Sequence, residues 1–260
     1  MFKQLAVTAT TVAVMLSAPA QAGSFSINPL KTVTVHSYTS NHGSNSHIIE
    51  SADSLTLLDF SSDPQSAQEL SDYLDRLDKP ITKVIVSHVH GDGQHHTAVP
   101  AAAAKAPIYT FANTKSELEQ LGLYPKAQIN VLKPGEQLTN GIKANFSVGA
   151  GDTVTLSMPT EGLLWSHHSM YIGFHLPDLS GQYLAMVENY SNNGYQLYIG
   201  GHGKVGGPKA PQVFANYQRF CAEAVKSSVD AAEAKAKIVA QYPDWQGDFM
   251  LDMILPHAYK

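Results

Sequence analysis

The stretch from Ile81 to Asp92 constrains this chain more than any other. Ile81-Thr-Lys-Val-Ile-Val86 is rich in β-branched residues and reads as a buried strand. It runs without a turn into Ser87-His88-Val-His90-Gly-Asp92, so a strand end delivers three potential metal ligands at alternate positions. Side chains two residues apart on an extended backbone lie on one side, which lets His88 and His90 converge on one cation. Asp92 follows two residues later, and its hard carboxylate can hold a second cation or orient a water on the first. Imidazole suits zinc, and a carboxylate completes such a site.

The surroundings read as a mixed α/β chain. Thr32–His36 alternates like a strand, Asn41-His-Gly-Ser-Asn45 is a turn, and Ser46–Glu50 with Leu55–Phe60 forms a hairpin. Asp63-Pro64 opens a helix whose apolar stripe is Ala67, Leu70, Tyr73, Leu74 and Leu77, and Lys79-Pro80 stops it. After the histidines come an alanine-rich helix, a strand at Pro107–Phe111 and a helix opened by the capping box Thr114-Lys-Ser-Glu117. Gly122 stops that helix. Further strands are predicted at Lys143–Val148, Val154–Leu156, Tyr171–Leu176, Gln182–Val187 and Gln196–Ile199. From Pro211 the chain turns helical, with breaks near Ser227-Ser228 and Tyr242-Pro243. No internal repeat or low-complexity linker interrupts it.

Composition narrows the functional classes. Seventeen basic residues stand against 22 acidic ones, with no dense basic run, which excludes nucleic acid as the main partner. Cys221 is the only cysteine, so neither an internal disulfide nor a thiolate-rich metal site is available. Histidine is the enriched ligand type, at 12 residues. At the start, Lys3, the apolar run Leu5–Leu16 and the small-x-small site Ala20-Gln21-Ala22 make up a secretory signal peptide. The expected organisation is therefore a signal over 1–22 and one domain over 23–260, exported to the periplasm or medium. The apolar run is too short to span a bilayer as a helix, and no later segment qualifies.

His-x-His-x-Asp after a strand, preceded by a strand ending in Asp59 and by an amphipathic helix, resembles the metallo-β-lactamase superfamily. The likeness runs in order from about Asn45 to about Gly207. It implies a four-layer αββα sandwich with metals at one edge, where strand-end loops meet. It also implies a later histidine ahead of a strand that ends in proline. His167-His168-Ser-Met-Tyr-Ile-Gly-Phe-His175-Leu-Pro177 fits, with His167 matching the spacing better and His168 the alternative. His175 falls inside that strand and reads as a core residue. Glu188, in Glu188-Asn189, occupies the place of a bridging acidic ligand. His202, between Gly201 and Gly203, resembles the last metal motif.

On this reading His88, His90 and His167 hold the first ion, and Asp92, Glu188 and His202 the second. Asp92 also orients or deprotonates the nucleophile. Asp59 is expected to fix the histidine loop by hydrogen bonds rather than to bind metal. Many relatives carry a histidine directly after the aspartate, where this chain has Gly93, so the second site is expected to be the weaker. His95 or His96 are the candidates to compensate. The implied protein is an exported zinc-dependent hydrolase using one or two ions on a small-molecule ester, lactone, sulfate ester or β-lactam. The alternative is a metal-binding or redox-relay protein that retains the fold.

Overall fold

The computed structural model describes residues 22–61, 63–89, 98–122, 124–133, 143–146 and 154–260, and all that follows concerns these. The first strands are β1 (Ser24–Pro29), β2 (Thr34–Thr39), β3 (Asn45–Glu50) and β4 (Leu55–Leu58), each antiparallel to the next. Helix α1 (Pro64–Leu77) then crosses over to β5 (Ile81–Ile85), which lies parallel to β4. Parallel pairing continues through β6 (Ile108–Thr110) and β7 (Ile129–Val131), with α2 (Ala112–Leu121) between them. Among the described residues this gives one sheet in the order β1-β2-β3-β4-β5-β6-β7. A seam at β4 separates its antiparallel half from its parallel half.

The second sheet is built from β8 (Lys143–Phe146), β9 (Val154–Met158), β10 (Leu163–Ser166) and β11 (Leu197–Ile199), in the order β11-β10-β9-β8. Helix α3 (Gln182–Ser191) precedes β11, and α4 (Ala210–Lys226), α5 (Ala231–Gln241) and α6 (Asp248–Ile254) follow it.

Period-two alternation assigns side chains to the layers. In the first sheet Ile48, Leu57, Val84 and Val86 face Leu70 and Leu74 of α1 and Leu118 of α2. The neighbouring residues Ile49, Leu58 and Ile85 face the opposite way and pack on Leu156, Leu163, Trp165 and Ile199 of the second sheet. The far side of that sheet, through Leu164 and Tyr198, packs on Phe214, Tyr217, Ile238 and Leu251 of the C-terminal helices. The layers are thus helix, sheet, sheet, helix, as expected from the sequence. Each fully buried Leu, Ile or Phe contributes roughly 1.5–3 kcal/mol.

The structure corrects several readings. Gln182–Val187 is not a strand but the start of α3, because Asp178 Oδ2 accepts the Tyr183 N–H at 2.6 Å and winds the first turn. Tyr171–Leu176 makes only isolated bridges, at Ile172 and Phe174. Thr114 does not cap α2, which starts at Ala112 after Phe111. The alanine-rich segment forms only a three-residue 3-10 turn, Ala101–Ala103, hemmed between Pro100 and Pro107. Strands β1 and β10 carry no reading from the sequence.

Candidate metal centre

The site grows from the carboxyl ends of β4 and β5. Strand β4 is followed directly by Asp59, which turns into the left-handed region with φ 52° and is buried. Aspartate is among the few residues that tolerate this conformation. The turn aims its carboxylate at the chain leaving β5. Oδ1 accepts the Ser87 backbone N–H at 2.7 Å, and Oδ2 accepts the Ser87 hydroxyl at 2.7 Å. His167 Nδ1, from the turn after β10, stands 2.7 Å from the same Oδ2. Asp59 therefore touches both loops and lies outside the histidine group.

The Ser87 contacts fix the tautomer of one imidazole. Ser87 has one hydroxyl proton, and the carboxylate takes it. At 2.8 Å from His88 Nδ1, the Ser87 oxygen must then accept, so His88 carries its proton on Nδ1. The His88 ring thereby turns Nε2 toward His168 as an acceptor. His167 Nδ1 stands close to the Asp59 carboxylate as an ion-pair contact, without the geometry of a hydrogen bond.

His88, His167 and His168 each offer one nitrogen, and the three atoms lie within 4.8 Å of one another. His88 Nε2 and His168 Nε2 are 3.1 Å apart. Two nitrogens each 2.0–2.1 Å from a tetrahedral zinc would be separated by about 3.3 Å, so this spacing suits a shared ion. Three imidazole nitrogens converging on one point form a donor set that fits zinc. Two neighbours tighten the turn. Ser169 Oγ bonds Ser166 Oγ and lies 3.2 Å from Tyr190 Oη of α3.

Behind His167 lies the glycine loop after β11. A Cβ on Gly201 would collide with the His167 ring, so only glycine lets the backbone pass. Asn45 holds this loop by donating Nδ2 to the carbonyls of Gly200 and Gly203, at 3.0 and 2.9 Å. His47 adds a 2.9 Å bond to the Gly200 carbonyl, and burial pushes its own pKa down to about 4.

The residues singled out from the sequence divide as follows. His88, His167 and His168 are brought together, so both histidines of the doublet join the group. His90 and Asp92 lie outside the described residues, as do Gly93, His95 and His96. Glu188 is not brought to the group. Its segment is helical, and it sits exposed on α3 at 2.5 Å from Arg219. The His202 ring is not in the group either, since it stacks on Phe174 at 4.8 Å and its Nδ1 bonds the Gly43 carbonyl at 2.9 Å. His175 is a core residue beside Tyr217, as expected. Sequence reasoning passed over Ser87, Asn45 and His47, whose roles depend on partners distant in the chain.

No protein-family model matches the chain, and no curated protein matches it. Solved structures do. The metallo-β-lactamase FIM-1 from Pseudomonas aeruginosa, in its mono-zinc form, is 21% identical over 79% of this chain and 99% of its own, with TM-score 0.58. A metallo-β-lactamase from Hirschia baltica is 23% identical over 75% and 97%, with TM-score 0.56. One from Pontibacter korlensis is 14% identical over 75% and 99%, with TM-score 0.58. This chain has the metallo-β-lactamase fold.

Proposed function

We propose that this protein is an exported zinc-dependent hydrolase of small molecules, acting on an ester, lactone, sulfate ester or β-lactam. The observation that carries the reading is the convergence of His88, His167 and His168 above the Asp59 carboxylate, at the strand-end edge of this fold. Zinc held there would lower the pKa of bound water to about 7 and polarise the scissile group. The remaining work falls to the chain. His88 and His167 present acceptor nitrogens in fixed orientation, with His90 as a further ligand. Ser87 and Asp59 hold the His88 and His167 rings in place. Asp92 orients the attacking water and takes its proton. Asp92 and His202 are the ligands proposed for a second, weaker ion.

Metal analysis of the purified protein, together with turnover on chromogenic esters, lactones, sulfate esters and cephalosporins, tests the reading. Bound zinc, turnover on one class, loss with a chelator and recovery with zinc are expected. A second reading is a metal-binding or redox-relay protein without hydrolytic turnover. It is favoured by the placement of Glu188, which leaves no acidic ligand in the group among the described residues. Full zinc content with no turnover on any class would replace the first reading by the second.

A further inference from the structure

In the amino-terminal half of α1, the geometry points to a receiving site for an α-ammonium group, built from Glu69, Tyr38 and Gln65. Its occupant is the terminus created when the chain is cut between Ala22 and Gly23. The inference is independent of the hydrolase reading and builds on the leader pattern of the first 22 residues.

Gly23 N stands 2.9 Å from Glu69 Oε2 of α1. Tyr38 Oη donates to the same oxygen at 2.9 Å, and Gln65 Nε2 donates to Oε1 at 2.8 Å. A carboxylate oriented on both oxygens thus faces one backbone nitrogen. Burial pushes the Glu69 carboxyl up, but the bonds from Gln65, the Gly23 N–H and Tyr38 outweigh it and hold it below the ordinary value. An amide N–H asks only for a neutral acceptor, whereas an ionised carboxylate matches an ammonium and gives a shorter, stronger bond.

Position 23 itself is fitted to the slot. A Cβ there would collide with the ring of Tyr38, which is buried, so only glycine lets the nitrogen reach Glu69. Ala22 is exposed, and Ala22 and Gly23 line a cavity of about 550 Å³ with Asn41, His42 and Phe249, which leaves the bond open to attack. Cleavage by a leader peptidase adds water across the Ala22–Gly23 bond. The oxygen leaves with Ala22 as carboxylate, and the Gly23 nitrogen gains protons to become an ammonium. Strand β1 is already pinned beyond this point, where Phe25 stacks on Tyr73 of α1 at 3.9 Å. The ion pair completes the clamp only after the leader has gone.

The test uses the full chain exported with its own leader. Mass measurement should give Gly23 as the first residue. That protein is then compared with the same protein acetylated at its α-amine, which keeps the N–H and removes the charge. At pH 7 the free amine should melt about 2–4 °C higher. Pairing raises the amine's pKa above its ordinary 7.7–8.0, so the advantage is present below about pH 8 and closes as pH rises toward about 10. Glu69→Gln should abolish the gap at pH 7. Asp63 and His42 face the same region, and the Glu69→Gln comparison separates their contribution. A first residue other than Gly23, equal melting of free and acetylated forms, or a gap that survives Glu69→Gln would each overturn the inference.

Discussion

At the scale of single residues, the site depends on groups that do not touch the metal. Asp59 answers the two Ser87 donors with its two oxygens and lies close to His167. Asp59→Asn keeps the shape but presents an amide N–H where a Ser87 donor needs an acceptor, and so disturbs the His88 orientation that Ser87 sets. Zinc affinity, read by competition with a chelator, should fall about 10–100-fold. Stability should also drop by roughly 2–4 kcal/mol in urea denaturation, since buried donors lose their charged acceptor. His47 makes a second residue-scale test. Its folded pKa of about 4 lies below the ordinary 6.5, so the unfolded chain binds its proton first as pH falls. The stabilising contribution is present above pH 6.5 and is lost as pH falls toward 4, on the order of 3 kcal/mol in all. Urea midpoints measured across that window should fall in wild type and flatten in His47→Gln. His88 was legible because strand and ligand spacing coincide there, whereas His167 and His168 came from the family likeness. Asn45, His47 and Ser87 were not legible, because their partners are set by the fold.

At the scale of elements, legibility followed local punctuation. Helix α1 reads directly from Asp63-Pro64, and the structure shows Asp63 Oδ1 accepting the Ser66 N–H at 2.8 Å. Helix α3 was misread because Tyr183, Leu184 and Val187 serve a strand as well as a helix. Its start signal, Asp178 reaching Tyr183 N across five residues, is a tertiary-looking contact rather than an adjacent cap. Glu188→Ala tests the correction. On the exposed face of a helix it should change stability by less than about 0.5 kcal/mol and leave zinc content unchanged, as metal analysis and denaturation will read. Gly201→Ala tests the opposite kind of position. The added methyl must displace the His167 ring, so zinc affinity should fall at least about 10-fold by chelator competition while the far helices keep their circular dichroism.

At the scale of the whole molecule, the inter-sheet core joins every element that carries a ligand. Leu58 lies in that core, adjacent to Asp59, and is fully buried. Leu58→Ala should cost about 2–5 kcal/mol in urea denaturation, with an unchanged slope. The same architecture also sets an order of assembly. The seam at β4 divides the first sheet into a hairpin meander and a set of crossovers. Strands β1 to β4 meet partners only a few residues away, whereas β5, β6 and β7 must each wait for an intervening segment to close a longer loop. Local pairing is fast and long-loop pairing slow. A chain threaded from its amino end therefore emerges with its quick half first. The slow half, with the strand that ends at His88, can then dock onto β4 as a ready-made template.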